Sequence, residues 1–188
     1  MTGPTRLAGW GRLADGASVT WTISEGRKGR RWREVVADGD AVRHALLLET
    51  DPSGRFSHLE LAAAAGLWTL HPEGDGTLHG NHVDPRGTTV RHVTGWHFGR
   101  DDWVVIPGSP IAAAAIAGHE AAVIPPEDGV ARAGVVLGRD GRLMADPAIR
   151  LERLSARGWR FVPGDPFEVT EDGAPVLEAG GGSDLEVG

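Results

Sequence analysis

Apolar and polar residues alternate with a period of two along most of the chain, the mark of strands that cover a core with one face. Val19, Trp21 and Ile23 alternate with Ser18, Thr20 and Thr22. The run Arg31 to Val36 sets Trp32 among basic residues, and in Val42 to Thr50 the residues Val42, His44, Leu46 and Leu48 fall on one face. Phe56–Leu61, Leu67–His71, Thr77–His79, Thr88–Phe98 and Trp103–Ile106 continue the series. Between them stand turn sequences: Asp38-Gly39-Asp40, Asp51-Pro52-Ser53-Gly54, Glu73-Gly74-Asp75-Gly76 and Asp84-Pro85-Arg86-Gly87. Proline presets the second turn position, and glycine accepts the positive φ that turns demand.

Turns at intervals of roughly a dozen residues, with few helical stretches, predict an antiparallel meander. A long meander curls, because open sheet edges invite pairing with other chains. The fold class expected is mainly β: a strongly curved antiparallel sheet or open β-barrel with one short helix. That helix is predicted over Pro110 to Gly118, with Ser109 as its cap, Pro110 at its first position and Gly118 at its end. Its place is the mouth or the concave face of the sheet. Beyond Pro125-Pro126, strands are expected over Val130–Leu137, Leu143–Ala145 and Gly158–Val162. Ile149–Leu154 fits either a strand or a short helix.

No linker divides the body, so residues 1–170 read as one β-rich domain. Residues 171–188 read as an acidic, glycine-rich tail lacking fixed structure. Charge supports that division. Of 26 acids, seven lie in residues 165–188, which contain no Lys or Arg, and the other 164 residues hold 19 of each sign. A neutral body with an acidic tail speaks against a nucleic-acid partner, which needs a basic surface. Cysteine is absent, which excludes disulfides, thiolate nucleophiles and Cys-ligated metals. No apolar run approaches the length of a membrane-spanning helix, and Met1–Leu13 lacks the core of a signal peptide. A cytoplasmic protein is expected, of undetermined oligomeric state.

No motif specifies a reaction. His79, His82, Asp84, His92 and His97 lie close in sequence, but His79 and His82, and likewise His92 and His97, have odd spacings that send them to opposite strand faces. No metal site and no cofactor are expected. G-x-S-x-G is missing, and Ser109 is better used as a helix cap. His44, beside Val42 and Leu46, and His92, beside Val90 and Trp96, read as inward residues able to bond a ligand or move a proton. The segment Arg27-Lys28-Gly29-Arg30-Arg31-Trp32-Arg33 holds five cations in seven residues. It fits a grip on phosphates, a single strand, the acidic tail or a lipid headgroup, or simply a solvated hairpin. Seven Trp and four Phe with no Tyr suit a large core, a ligand cavity or both.

The order of features from Trp10 to about Gly118 resembles the glycolipid-binding family of bacterial proteins. The resemblance rests on the early Trp10, on the strand end Leu48-Glu49-Thr50-Asp51 with its return Phe56–Leu61, and on Gly66-Leu67-Trp68 leading to the Gly74-Asp75-Gly76 turn and Leu78-His79-Gly80. It continues through Asp102 and Ile106-Pro107-Gly108-Ser109-Pro110-Ile111. It implies a β half-barrel that holds a lipophilic or amphipathic small molecule. On that reading Trp21, Leu46, Leu48, Trp68, Trp96 and Trp103 line the cavity, and His44 and His92 hold the polar end. Two other readings stay open: a small barrel enzyme using His44 or His92 as acid or base on a hydrophobic substrate, and a protein-interaction module.

Overall fold

The computed structural model describes residues 5–138 and 140–177. The first half is the expected meander. Eight strands follow one another, each hydrogen-bonded antiparallel to the next: β1 (Arg6–Arg12), β2 (Ser18–Gly26), β3 (Gly29–Asp38), β4 (Ala41–Thr50), β5 (Phe56–Ala63), β6 (Gly66–Pro72), β7 (Thr77–Val83) and β8 (Val90–His97). The sheet curls strongly, as a half-barrel. Its alternation is the one read from the sequence: Trp32, Glu34 and Val36 point inward from β3, while Arg31, Arg33 and Val35 point outward.

The second half differs from a single continuous sheet. β9 (Trp103–Val105), α1 (Pro110–Glu120), β10 (Asp128–Leu137), β11 (Leu143–Arg153), β12 (Gly158–Val162), β13 (Pro166–Val169) and β14 (Pro175–Val176) follow in the chain. They build a six-stranded sheet of order β14-β13-β12-β11-β10-β9. β9 and β10 pair in parallel, which a tight turn cannot achieve, so a crossover is required and α1 supplies it. The ambiguous stretch 149–154 belongs mostly to β11.

α1 is the hinge of the architecture. Ser109 Oγ accepts from the Ala112 amide at 3.0 Å, and Pro110 opens the helix. The helix runs two residues beyond the expected end at Gly118, to Glu120. Ile111, Ala112, Ala114, Ala115, Ile116, Ala117 and Glu120 are all buried. A helix apolar on nearly every side has to be surrounded, and α1 contacts β3 on one flank and β9, β13 and β14 on another. One apolar cluster runs from Ile23, Trp32 and Leu59 through Ile111 and Ile116 to Leu151 and Trp159. The helix thus fills the hollow of the half-barrel and joins both sheets in one core.

The ordered fold also passes the expected boundary at residue 170. Ala174 is buried, β14 pairs with β13, and Leu177 packs beside Gly11 and the small cluster of Ala17, Val19 and Val36. The apolar residues Ala174, Val176 and Leu177 supply anchors that the acidic composition of the segment conceals. Residues 178–188, the rest of the expected tail, lie outside the described residues.

β7 and β8 carry an irregularity with consequences for function. The register shifts between Leu78 and Gly80, where Gly80 faces Val93 and Leu78 faces Trp96. An added Cβ on Gly80 would sit 1.8 Å from the Thr69 carbonyl oxygen. Gly80→Ala is therefore expected to force β6 and β7 apart and to destabilise the protein by about 2–3 kcal/mol. Urea unfolding checks this, and an unchanged midpoint would show that the strands yield without cost.

Candidate functional site

The concave face carries most of the residues expected to line a cavity, but packed rather than open. Leu46, Leu48, Trp68 and Trp103 are buried in the main cluster, and the partly buried Trp21 and Trp96 pack against it. Leu59, Leu61 and Val93 share the same inward face. Trp68 stacks on His82, with centroids 4.4 Å apart and planes 14° from parallel. The volume that a lipophilic guest would occupy on the expected reading is taken by α1.

Val42 and His92 depart from the expected faces. Val42 sits 63% exposed beyond a bulge at Val36/Ala37. His92 is exposed on the outer face, its Nδ1 2.7 Å from Asn81 Oδ1. The parity that joined His92 to Trp96 fails because the β7–β8 irregularity, with Gly95 at φ 75°, turns Trp96 inward while Val90 and His92 stay outside.

His44 is buried as expected, and its partner is a residue the sequence reading passed over. Glu34 Oε1 lies 2.7 Å from His44 Nε2, and Glu34 Oε2 accepts from the Ile111 amide at 3.1 Å. Both side chains are sealed, 3% and 0% exposed. A buried carboxylate that meets a histidine and a helix N-terminus is well satisfied. It is also cut off from solvent by α1, so neither group presents an atom to a substrate. A signal existed: Glu34 shares the inward parity of Trp32 and Val36. Near the other end of α1 the buried Glu120 accepts from Trp103 Nε1 at 3.2 Å and from Arg132 at 3.3 Å. The two acids tie the helix into the core at both ends.

The outer face of the half-barrel is less ordinary. Reading across the register, Trp10 faces Thr20, Thr20 faces Val35, Val35 faces Ala45, and Ala45 faces Ala62. Ala62 faces Leu67, Leu67 faces Val83, and Val83 faces Val90. A single row crosses all eight strands with Thr20 as its one polar member, a path of roughly 34 Å at ~4.8 Å per strand. Four of its five large members lie open to solvent: Trp10 is 52% exposed, Val35 39%, Leu67 40% and Val90 53%, while Val83 is half-buried. Contiguous apolar surface of this kind marks a contact site more often than scattered apolar residues do.

Four residues along β3 from Val35, the same face opens into a groove of about 640 Å³ beside the β2–β3 hairpin. At ~3.3 Å per residue the separation is roughly 13 Å. Arg6, Arg27, Lys28, Arg30, Arg31 and Arg33 border it, with Glu25 and Glu49 as the only acids among the described residues and Thr22, Ser24, Thr50 and Ser57 as hydroxyls. Two cations are paired, Arg30 with Glu25 at 2.9 Å and Arg31 with Glu49 at 2.6 Å. Gly29 shapes the site: with φ 116°, it brings the hairpin so close to β4 that a Cβ would lie 1.9 Å from the Thr50 carbonyl oxygen. A second crevice, between the β4–β5 turn, β9 and α1, measures about 30 Å³, room for little more than a water. At its rim the hydrogen bond from Arg55 holds the Asp101 carboxyl below the usual range. Among the described residues no group of His, Asp and Glu has the arrangement of a metal site, and no helix is long and apolar enough to cross a membrane.

Comparison with known proteins adds a structural likeness. No family model and no curated protein matches the chain. Among solved structures, the chain is similar to a DUF1089 family protein from Pseudomonas aeruginosa, at 13% identity and a TM-score of 0.49. The match covers 98% of this chain and 94% of that one.

Proposed function

We propose that this protein binds a small amphipathic molecule on the outer face of its half-barrel, with the polar part in the basic groove and the apolar part along the Trp10–Val35 row. One observation carries the reading: the groove and the apolar row lie on the same face of the same strands. On β1 the outward residues run Arg6, Ala8, Trp10, and on β3 they run Arg31, Arg33, Val35. The surface therefore passes from cationic to apolar over the length of a short amphiphile. Ligand sites join mostly apolar lining with a few placed polar groups, and this face offers both. The glycolipid-like ligand class implied by the sequence resemblance is retained; its expected place in the concave hollow is not, because α1 fills that space.

The test is native mass spectrometry of protein purified from its own host, followed by unfolding and extraction. An amphiphile released from the wild type, and retained about tenfold more weakly by Trp10→Ser, is the expected result; tenfold corresponds to about 1.4 kcal/mol, within reach of one aromatic contact. A clean mass that stays clean after exposure to host lipid extract would overturn the proposal.

A further inference from the structure

Resting on the outer-face reading, we infer that the polar group this groove takes is a phosphate-bearing one. The argument is one of charge. Six cations and two carboxylates border the groove, and the carboxylates neutralise Arg30 and Arg31. Arg6, Arg27, Lys28 and Arg33 have no acidic partner among the described residues. Four like charges around one concavity repel one another, and this occurs in a chain whose net charge is −7. A body balanced at 19 charges of each sign over residues 1–164 has gathered unpaired cations here.

The nature of the anion follows from what the groove offers. A phosphate monoester carries about −1.5 to −2 charges near neutral pH and several acceptor oxygens, so it relieves more of the repulsion than a single carboxylate. Arginine's planar fork matches phosphate geometry, and Thr22, Ser24 and Ser57 provide hydroxyl donors at the walls. A nucleic-acid strand fits less well. Among the described residues no aromatic ring borders the groove, so bases have nothing there to stack on, and stacking is what aromatic platforms contribute in single-strand sites. The match is to one phosphate group, on a lipid-like chain or free.

Three probes separate the possibilities in titration calorimetry below micelle-forming concentrations: decyl phosphate, decyl maltoside and inorganic phosphate. The expected result is that decyl phosphate binds at least tenfold more tightly than decyl maltoside. The preference should shrink with added salt and be lost in a Lys28→Ala/Arg33→Ala double variant, whose far-ultraviolet circular dichroism stays that of the wild type. Both side chains are exposed and unpaired, so folding should survive their removal. Equal affinity for the two decyl probes would overturn the phosphate inference and leave the amphipathic reading standing. Equal affinity for inorganic phosphate and decyl phosphate would keep the phosphate and remove the amphiphile. Binding of none of the three would overturn both.

Discussion

Glu34→Ala is expected to lower the unfolding free energy by about 3–5 kcal/mol, since two buried groups lose their acceptor at about 1–3 kcal/mol each and the truncated side chain leaves a void between them. For a chain of 188 residues this corresponds to a fall in Tm of roughly 10 °C. The substitution strands two groups together. The His44 ring loses its acceptor 2.7 Å away, and the Ile111 amide at the start of α1 loses the carboxylate that receives its hydrogen. Neither can turn to water, because the site is sealed between β3, β4 and the helix. Glu34→Gln keeps the shape and one good acceptor, and it can donate to His44 through its amide, so roughly half the loss is expected. Thermal unfolding of both variants decides the matter. If the Ala variant melts with the wild type, the pair does not hold α1 in the hollow.

Arg153→Ala is expected to cost about 3 kcal/mol, and Arg153→Lys nearly as much. Arg153 Nη1 donates to the Ala121 carbonyl at 3.1 Å and the Ile124 carbonyl at 2.6 Å, just past the end of α1. Its Nε and Nη2 reach the Ser155 and Ala156 carbonyls, and its guanidinium lies 5.1 Å over the Trp159 ring. Hydrogen bonds from a charged donor contribute about 1.5–3 kcal/mol each at best, and these share one side chain, so the sum is well below four times that value. Lysine retains the charge but not the fork, and it cannot bridge four carbonyls on two loops. Denaturant titration of the two variants is the check. Full recovery of stability in the Lys variant would mean that charge near the helix end matters and the fork does not.

Much of the first sheet was legible in the chain because its rules are local. Alternation with period two sets the faces of β2, β3 and β4, and Asp-Pro-x-Gly and Gly-Asp-Gly turns set where strands reverse. Ser109 and Pro110 announced the helix for the same reason: a cap concerns only its own first turn. The inward face of His44, Leu46 and Leu48 followed from alternation alone. His92 did not, because the irregularity at Leu78/Gly80 adds a residue on one side of a strand pair and reverses parity beyond it. A bulge depends on how two strands meet, and neither strand announces it.

The candidate site divides in the same way. Its basic residues stood out as a cluster from Arg27 to Arg33, and the sequence alone determined that they would ride on a hairpin. It also determined a neutral body, a chain without thiol chemistry, and an antiparallel meander that must curl. The tertiary structure decided the rest. It placed Trp10, Val35, Leu67 and Val90, which are distant in sequence, in one outward row, because register across seven strand pairs is a sum of contacts that no single segment encodes. It filled the hollow with α1 and so moved the candidate site to the opposite face. An alanine-rich helix has too little side-chain bulk to declare its partners. It goes where both sheets leave room, and that room exists only once they have folded.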